Sequence, residues 1–299
     1  MQQQRTLHTS TQLTGPGLHT GRLTQVTLRP APVGHGIRFR RVDLNIEIPA
    51  LATSVGETSR STAIASGDAV ICTIEHLMSA LHGLLIDNVL IEVTGSEVPI
   101  LDGSARVWVD AILKAGIEQQ EAPAQCLRIT ETIEMNDSKS RYRVEPADDF
   151  QLTCIIDFAG QAIGHQEYTF RESDDYICEV APCRTFVFLH EIEPLLAHNL
   201  IKGGALDNAL VFVNQPLAPE QVERLGRVYG KDPSAMQVDN GVLNTVKPFF
   251  ANEPCRHKAL DFIGDILLLG ARPKGHFTIE CPGHQHNVAF AKTILNRIK

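Results

Sequence analysis

Three polar residues recur at four-residue intervals in one segment of the chain: His257, Asp261 and Asp265. If the segment 256–265 is helical, this spacing places the three side chains on one face. An imidazole and a carboxylate on one face can bind the same ion, and Zn²⁺ accepts both donor types while leaving a position for water. The apolar residues between them predict a helix that is at least half buried. A solvated helix face with a His–Asp contact is the alternative explanation.

A second candidate pair, Glu75 and His76, stands near the start of a mainly apolar helix predicted for Thr73 to Gly83. Burying either group without a partner is costly, so the pair favours a metal ligand beside a general base. A glutamate stabilised by the helix dipole next to an ordinary histidine explains the pattern equally well.

A third candidate, His284, lies in the segment CPGHQHN (281–287), after a strand predicted for His276 to Glu280. The proline and glycine predict a turn there. A histidine on such a turn is placed to protonate a leaving group, although turn histidines are also common as plain surface residues.

The fourth candidate is Thr185, within the sequence Cys-Arg-Thr-Phe. Its hydroxyl could donate to an oxyanion, or it could cap a turn. The stretch from Glu191 to Lys202 is amphipathic and predicts a helix that packs on the core.

Strands and helices alternate along the chain. The segments 25–29, 37–41 and 89–93 have the alternation of strands, and 104–115 has the pattern of a helix. The segment Glu118 to Gln125 combines charges with Pro123 and is the best candidate for a linker between domains. We therefore expect an N-terminal α+β domain over 1–123 and a C-terminal α+β domain over 124–299.

The two halves resemble each other weakly, because Glu75 to Leu113 and Arg256 to Leu295 each present a histidine-led helix, a strand, a loop and another helix. In this alignment His76 and His257 occupy equivalent positions. Two half-sites would then face each other across the domain junction, a usual place for pockets.

Composition limits the classes of function. The chain has 299 residues, 43% of them hydrophobic, and a formal charge of −8 without a basic block, which argues against a nucleic-acid partner. The seven cysteines include no CxxC pair, so neither a disulfide framework nor a zinc knuckle is indicated. The N-terminus lacks targeting features, and no apolar run approaches the roughly 20 residues that span a bilayer. We expect a soluble, cytoplasmic protein.

Eight sequence strings, in order along almost the whole chain, resemble those of the UDP-3-O-acyl-N-acetylglucosamine deacetylases. They are GPGLHTG (15–21), GETSRST (56–62), TIEHLMSAL (73–81), IDNVLIEV (86–93), EVPILDGSA (97–105), RTF (184–186), HKALDFIGD (257–265) and GH (283–284).

The resemblance implies a zinc-dependent amidohydrolase of lipid A biosynthesis in a Gram-negative bacterium. It implies Zn²⁺ bound by His76, His257 and Asp261, with Glu75 as general base and His284 as general acid. The substrate implied is an acylated UDP-sugar, whose N-acetyl group is removed. The alternatives are a metallohydrolase acting on another amide through the same ligands, and a non-enzymatic module that holds structural zinc.

The resemblance also implies supporting roles. Thr185 corresponds to a threonine that polarises the substrate carbonyl, and Asp265 to the carboxylate that supports the catalytic histidine. The implied substrate-binding residues are Lys258, Phe186, Asp157 and Phe158.

For the fold, the resemblance implies two similar two-layer α+β domains, with the helices sandwiched between two small mixed sheets and the active site at the domain junction. An insert near 188–204 would form the acyl passage, and the protein would be a monomer. Three residues depart from the family pattern, namely Cys183, Val187 and the additional His286. They leave the shape of the passage and the preferred chain length open.

Overall fold

The computed structural model describes residues 2–198, 201–243 and 247–298. The elements of residues 2–123 are β1 (Gln3–Leu7), β2 (Thr11–Pro16), β3 (Leu23–Pro30), β4 (Ile37–Arg41), β5 (Ile46–Pro49), β6 (Ile64–Ser66), β7 (Ala69–Ile71), α1 (Glu75–Gly83), β8 (Val89–Val93), α2 (Arg106–Ala115) and β9 (Ile117–Pro123), with a 3₁₀ turn at Ala52–Ser54. The main sheet here has the order β2-β3-β8-β4-β5. It is mixed, because β4 pairs with β8 in parallel and the other neighbours are antiparallel.

The second part of the chain builds a comparable sheet with the order β11-β12-β19-β13-β14, and β10 pairs with one end of β19. Its elements are β10 (Cys126–Arg128), β11 (Ile133–Asn136), β12 (Arg141–Glu145), β13 (Phe150–Phe158), β14 (Gly164–Arg171), α3 (Tyr176–Glu179), β15 (Phe186–Phe188), α4 (Leu189–Ala197), β16 (Leu210–Phe212), α5 (Pro219–Tyr229), β17 (Val238–Asp239), β18 (Val242–Leu243), α6 (Glu253–Ile266), β19 (Arg272–Glu280) and α7 (His284–Arg297), with 3₁₀ turns at Pro233–Ala235 and Leu267–Leu269. This sheet is also mixed, since β13 runs parallel to β19.

The helices lie between the two sheets, and α1 packs along α6. Gly264 makes this contact close, because a β-carbon at this position would collide with the backbone carbonyl oxygen of Glu75. The two helix backbones therefore approach more closely than any larger residue would allow. One continuous apolar core joins both sheets and these helices, and it includes Leu77, Phe262 and Phe277.

A second, smaller apolar cluster, which we call the insert cluster, is separate from this core. It is formed by Ile192, Leu206, Val211, Val213, Met236 and Leu243. The insert cluster belongs to a small sheet with the order β15-β16-β18-β17 and to helices α4 and α5, which pack on it.

The predicted fold class is confirmed: the protein is α+β, with helices between small mixed sheets. The strands expected at 37–41 and 89–93 are β4 and β8, and the other predicted strands and helices lie at α1, α2, α6, β3 and β19. The amphipathic stretch 191–202 is helical as far as Ala197 within α4, while its residues 199 and 200 lie outside the described residues. No helix within the described ranges is long and apolar enough to cross a bilayer.

The segment from Glu118 to Gln125, which we predicted as a linker between domains, is ordered by strand pairing. Most of this segment is β9, which pairs antiparallel with β1 near the N-terminus. The two strands form a two-stranded sheet of their own, so alternate side chains of β9 face solvent and charges are tolerated there. Pro123 is the last residue of the strand, where a proline costs little. The domain boundary near residue 123 stays a prediction.

Candidate active site

Helix α6 places His257, Asp261 and Asp265 on one face, as the four-residue spacing predicted. All three are buried, with Asp261 only 3% exposed. A solvated helix face is therefore excluded as the explanation of the spacing. Buried charges require partners, and the groups that surround these residues supply them.

Helix α1 supplies the opposite wall, and Glu75 and His76 are its first two residues. Oε2 of Glu75 accepts a hydrogen bond from the backbone N–H of Thr62 at 3.0 Å. Burial raises the pKa of Glu75, while the nearby His284 and His76 act in the opposite direction. A carboxylate with a raised pKa is a stronger base at neutral pH.

Three donor atoms from the two helices converge on one point. Nε2 of His76 and Nε2 of His257 lie 3.6 and 3.4 Å from Oδ1 of Asp261. The ligand atoms of these three residues all lie within 4.8 Å of one another. Oδ1 of Asp261 is buried and has no hydrogen-bond partner among the described residues. Two imidazoles and an unsatisfied carboxylate oxygen fit a metal ion, and this set matches the donors that zinc prefers.

The protonation states of these residues also suit a metal. Nδ1 of His257 lies 3.0 Å from the carbonyl oxygen of Cys183, which fixes Nδ1 as the donor and directs Nε2 toward Asp261. Burial lowers the pKa of His257 to about 3, so the ring is neutral. Burial opposes ionisation of Asp261, but the Lys258 ammonium, 2.9 Å from Oδ2, helps to hold the pKa of this carboxyl well below the usual range.

His284 lies beside this triad, with Nε2 4.0 Å from Oδ2 of Asp261. Its Nδ1 lies 3.0 Å from Oδ2 of Asp265. Burial alone would lower the pKa of His284, but the charges of Asp265 and Glu75 raise it to about 9. The ring is therefore protonated at neutral pH. The prediction that His284 lies on a turn was wrong in detail, since it is the first residue of α7, directly after the N-cap residue Gly283.

Asp265 is held by residues that the sequence did not single out for this purpose. Thr62 Oγ1 donates to Oδ1 of Asp265 at 2.6 Å, and Asn287 Nδ2 donates to Oδ2 at 2.8 Å. Asn287 is fixed in turn by the hydroxyl of Tyr142, at 2.7 Å. Thr62 ends the GETSRST string, which was the only signal for it in the sequence.

Phe186 lies beside the triad, with its ring centre 6.4 Å from that of His257, and Thr185 directly precedes it. The Thr185 N–H donates to the carbonyl oxygen of Gly103 at 2.8 Å, which fixes the backbone that presents its side chain. The Lys258 ammonium lies 5.5 Å from the centre of the Phe186 ring, within the range of a cation–π contact.

A cavity of about 390 Å³, which we call the catalytic cavity, joins these groups. At one end it is lined by Glu75, the triad, Thr185 and His284. At the other end it is lined by apolar residues of the insert cluster, including Ile192, Leu206 and Val211.

Two of the predicted substrate contacts do not line the catalytic cavity. Asp157 is exposed at the end of β13. Phe158 packs behind the site, with its ring centre 5.8 Å from that of Phe186 and 5.5 Å from that of Phe188. Their proposed contact with the substrate stays a prediction.

Two histidines outside the predicted set also line the cavity. His19, from the GPGLHTG string, has both ring nitrogens buried and without a hydrogen-bond partner among the described residues. His286 pairs with Asp137 and stacks on Tyr142 at the rim. The His286 side chain is 32% exposed and pairs with Asp137, whereas that of His284 is 10% exposed, pairs with Asp265 and lies beside Asp261.

The sequence is similar to a known protein family along almost its whole length. The family model described as LpxC, UDP-3-O-acyl N-acetylglycosamine deacetylase, matches residues 4–226 and 230–296. A protein of Teredinibacter turnerae named UDP-3-O-acyl-N-acetylglucosamine deacetylase is 38% identical over 99% of this chain and 91% of its own length. One of the same name from Pseudomonas entomophila is 39% identical over 96% of this chain and 88% of its own length.

A larger relative, the bifunctional enzyme LpxC/FabZ of Chlorobaculum tepidum, is 42% identical over 97% of this chain. The present chain spans 64% of the length of that relative, and 65% of the similarly named protein of Porphyromonas gingivalis. Taken with the match of the family model over nearly all of the sequence, these similarities show that the chain belongs to the LpxC family of UDP-3-O-acyl N-acetylglycosamine deacetylases.

Proposed function

We propose that the protein hydrolyses the N-acetyl group of UDP-3-O-(3-hydroxyacyl)-N-acetylglucosamine to a free amine and acetate, the committed step of lipid A biosynthesis. One observation carries the proposal: a single cavity joins the buried donor triad, the buried carboxylate of Glu75 and the largely buried imidazole of His284 to an apolar wall. Such a cavity suits a substrate with a polar amide at one end and a hydrocarbon chain at the other.

Zinc is the metal that we propose for the triad His76, His257 and Asp261. Structural zinc sites usually have four protein ligands, whereas catalytic ones have three and keep a position for water. The described residues supply three ligands here. When bound, the ion supplies Lewis-acid polarisation of a carbonyl oxygen and makes a water molecule more acidic. Three protein ligands fit a catalytic zinc site better than a purely structural one.

Three residues of the chain perform the proton transfers and charge stabilisation in this proposal. Glu75 accepts the proton of the attacking water, since its pKa is raised by burial. The Thr185 hydroxyl donates a hydrogen bond to the oxyanion that forms from the acetamide carbonyl. His284, held protonated by Asp265, delivers a proton from Nε2 to the departing amine.

Substrate binding involves both ends of the catalytic cavity. We propose that Lys258 and Phe186 contact the sugar nucleotide near the reacting amide, and that Asp157 and Phe158 contribute from the outer end of β13. The acyl chain lies along the apolar wall, which contributes about 0.8 kcal/mol for each buried methylene. A monomeric, cytoplasmic enzyme remains our expectation.

The test is release of free amine from the acylated UDP-sugar by purified protein, before and after chelation and after zinc is restored. We expect turnover to disappear with chelation and to return with zinc. The variant His76→Ala loses both metal and turnover, whereas His165→Ala, at an exposed position on β14, retains both. Stoichiometric zinc without turnover of this substrate would contradict the proposal.

A further inference from the structure

Thr62 is hydrogen-bonded to both helices of the site but does not face the substrate. It lies in the segment between the 3₁₀ turn at Ala52–Ser54 and β6. Its side chain is fully buried, and it is not among the residues that line the catalytic cavity. Its N–H, its carbonyl oxygen and its hydroxyl all make hydrogen bonds. A residue placed in this way can influence the reaction only through the groups that it holds.

The backbone of Thr62 is bonded to the start of helix α1. Its N–H donates to Oε2 of Glu75 at 3.0 Å, and its carbonyl oxygen accepts from the N–H of Ile74 at 3.3 Å. Ile74 is the N-cap of α1, and Glu75 is the first residue of the helix. Because all three residues are buried, water does not compete for these bonds. The position of Thr62 is therefore fixed relative to Glu75.

The side chain of Thr62 reaches from α1 to α6. Its hydroxyl donates to Oδ1 of Asp265 at 2.6 Å, whereas His284 and Asn287 both engage Oδ2. Among the described residues, Thr62 alone hydrogen-bonds Oδ1. A carboxylate that is held through one oxygen can turn about its Cβ–Cγ bond, since that torsion has broad minima. The Thr62 hydroxyl therefore fixes the plane of the carboxylate that orients the His284 ring.

We infer that Thr62 is a positioning residue of the proposed reaction: it ties Asp265, and through it His284, to the helix end that carries Glu75. The inference rests on the proposed function and adds a residue to it. The base and the acid must both lie within hydrogen-bond reach of one reacting amide, so their relative position has to be held closely. Thr62 connects the two by one backbone bond and one side-chain bond.

The variant Thr62→Val keeps the size of the side chain and the backbone N–H but removes the hydroxyl. We expect kcat for amine release from the acylated UDP-sugar to fall about 10- to 100-fold, because a small displacement of a catalytic group is costly in rate. KM should change little, since Thr62 does not line the catalytic cavity. Thr62→Ser retains a hydroxyl and should recover most of the loss of kcat.

A double-mutant cycle tests whether Thr62 acts through Asp265. Asp265→Ala removes the carboxylate, so adding Thr62→Val to it should cause little further loss of kcat. The matched control is Thr6→Val. Thr6 is also buried, its hydroxyl donates to the carbonyl oxygen of Asn88 at 2.7 Å, and it does not line the catalytic cavity. This control removes a comparable hydrogen bond and should keep the wild-type kcat.

A second measurement does not depend on turnover. In the chelated protein, the bond from Nδ1–H of His284 to Asp265 should protect this proton from exchange with solvent. NMR of protein labelled with ¹⁵N in the histidine rings measures the exchange rate. We expect faster exchange in Thr62→Val and the wild-type rate in Thr62→Ser.

The outcomes distinguish the inference from the proposed function. Turnover by the wild type supports both if Thr62→Val lowers kcat, Thr62→Ser restores it and Asp265→Ala removes the effect. Turnover by the wild type overturns the inference alone if kcat is unchanged in Thr62→Val, equally low in Thr62→Ser, or lowered by the same factor in the Asp265→Ala background.

Two further results are also decisive. If the zinc-loaded wild type releases no amine, the proposed function is wrong. The exchange rate of the His284 proton then decides the positioning role, and an equal rate in the wild type and Thr62→Val overturns it. If urea unfolding shows that Thr62→Val does not fold, Thr62→Ala removes the same hydroxyl with a smaller side chain and takes its place in every comparison.

Discussion

The carboxylate of Asp265 lies 3.0 Å from Nδ1 of His284 and engages the ring nitrogen that faces away from the triad. In the metal-free protein we expect the His284 ring to titrate near pH 9. The variant Asp265→Asn removes the nearby negative charge, so the pKa of His284 should fall. Because the acid must be protonated, the basic limb of kcat/KM should also move to lower pH in this variant. NMR titration of the His284 ring measures its pKa, and the pH dependence of kcat/KM measures the position of the basic limb.

A bound cation lowers the pKa of His284 in both proteins, so the comparison is made at equal metal occupancy. Asp137→Asn is the control, because Asp137 pairs with His286 and not with His284. A basic limb that moves with Asp137→Asn but not with Asp265→Asn would assign the acid to His286 instead.

Thr185 is expected to stabilise the oxyanion. Thr185→Val keeps the shape of the side chain and removes the hydroxyl, so kcat should fall by a factor of about 10² to 10³ with little change in KM. Thr185→Ser retains a hydroxyl and should recover most of the loss. Steady-state kinetics on the acylated substrate measure this, and equal losses in both variants would point to packing as the cause.

Glu253 forms a buried pair with Arg184, at 3.0 Å from Nε, and also accepts from the Arg184 backbone N–H at 2.9 Å. Arg184 follows Cys183, whose carbonyl orients His257. Glu253→Ala leaves an arginine charge buried and should lower the free energy of unfolding by about 3–5 kcal/mol. Zinc affinity should fall as well, because the Cys183 carbonyl loses its support.

Urea unfolding of the chelated protein and zinc competition with a chromophoric chelator measure the two consequences of Glu253→Ala. The control is Asp110→Ala, which breaks the exposed pair with Arg106 on α2 and should change stability by about 0.5 kcal/mol or less. Zinc affinity that is unchanged in Glu253→Ala would show that the pair stabilises the fold without orienting His257.

His82 gives a pH dependence of stability that is independent of the triad. It is buried, with Nδ1 2.8 Å from the carbonyl oxygen of Ile263. Burial lowers the pKa of His82 in the folded state, whereas the unfolded chain binds a proton below about pH 6.5. The free energy of unfolding therefore falls as the pH drops below that value, by up to about 1.4 kcal/mol per pH unit.

His82→Gln removes this titration, so its stability should depend less on pH than that of the wild type. Urea unfolding of both chelated proteins at about pH 7.5 and about pH 5.5 measures the difference. If the free energy of unfolding changes equally with pH in the two proteins, the assignment of this pH dependence to His82 is refuted.

Local spacing was enough to predict much of the site. The four-residue repeat in 257–265 depends only on helix geometry, and it correctly placed His257 and Asp261 on one face. The Glu75–His76 pair at the start of an apolar helix likewise implied burial with partners, which the structure shows.

Other parts of the site could not be predicted, because they depend on contacts between distant parts of the chain. Thr62 reaches Asp265 only after the two halves have packed together, and Asn287 reaches it from the neighbouring helix α7. No local pattern specifies how α5 packs on the insert cluster. The charged segment that forms β9 resembled a linker because pairing with β1 is also a long-range contact.

Gly264 allows close approach of α1 and α6, whose proposed metal ligands His76 and His257 come from different halves of the sequence. His76 and His257 can meet only when the long loop between them has closed, at a cost in chain entropy. An ion that binds only the docked arrangement stabilises that state by mass action. Supply of zinc in the cell would then influence how much of the newly made chain completes folding, as well as how much of it is active.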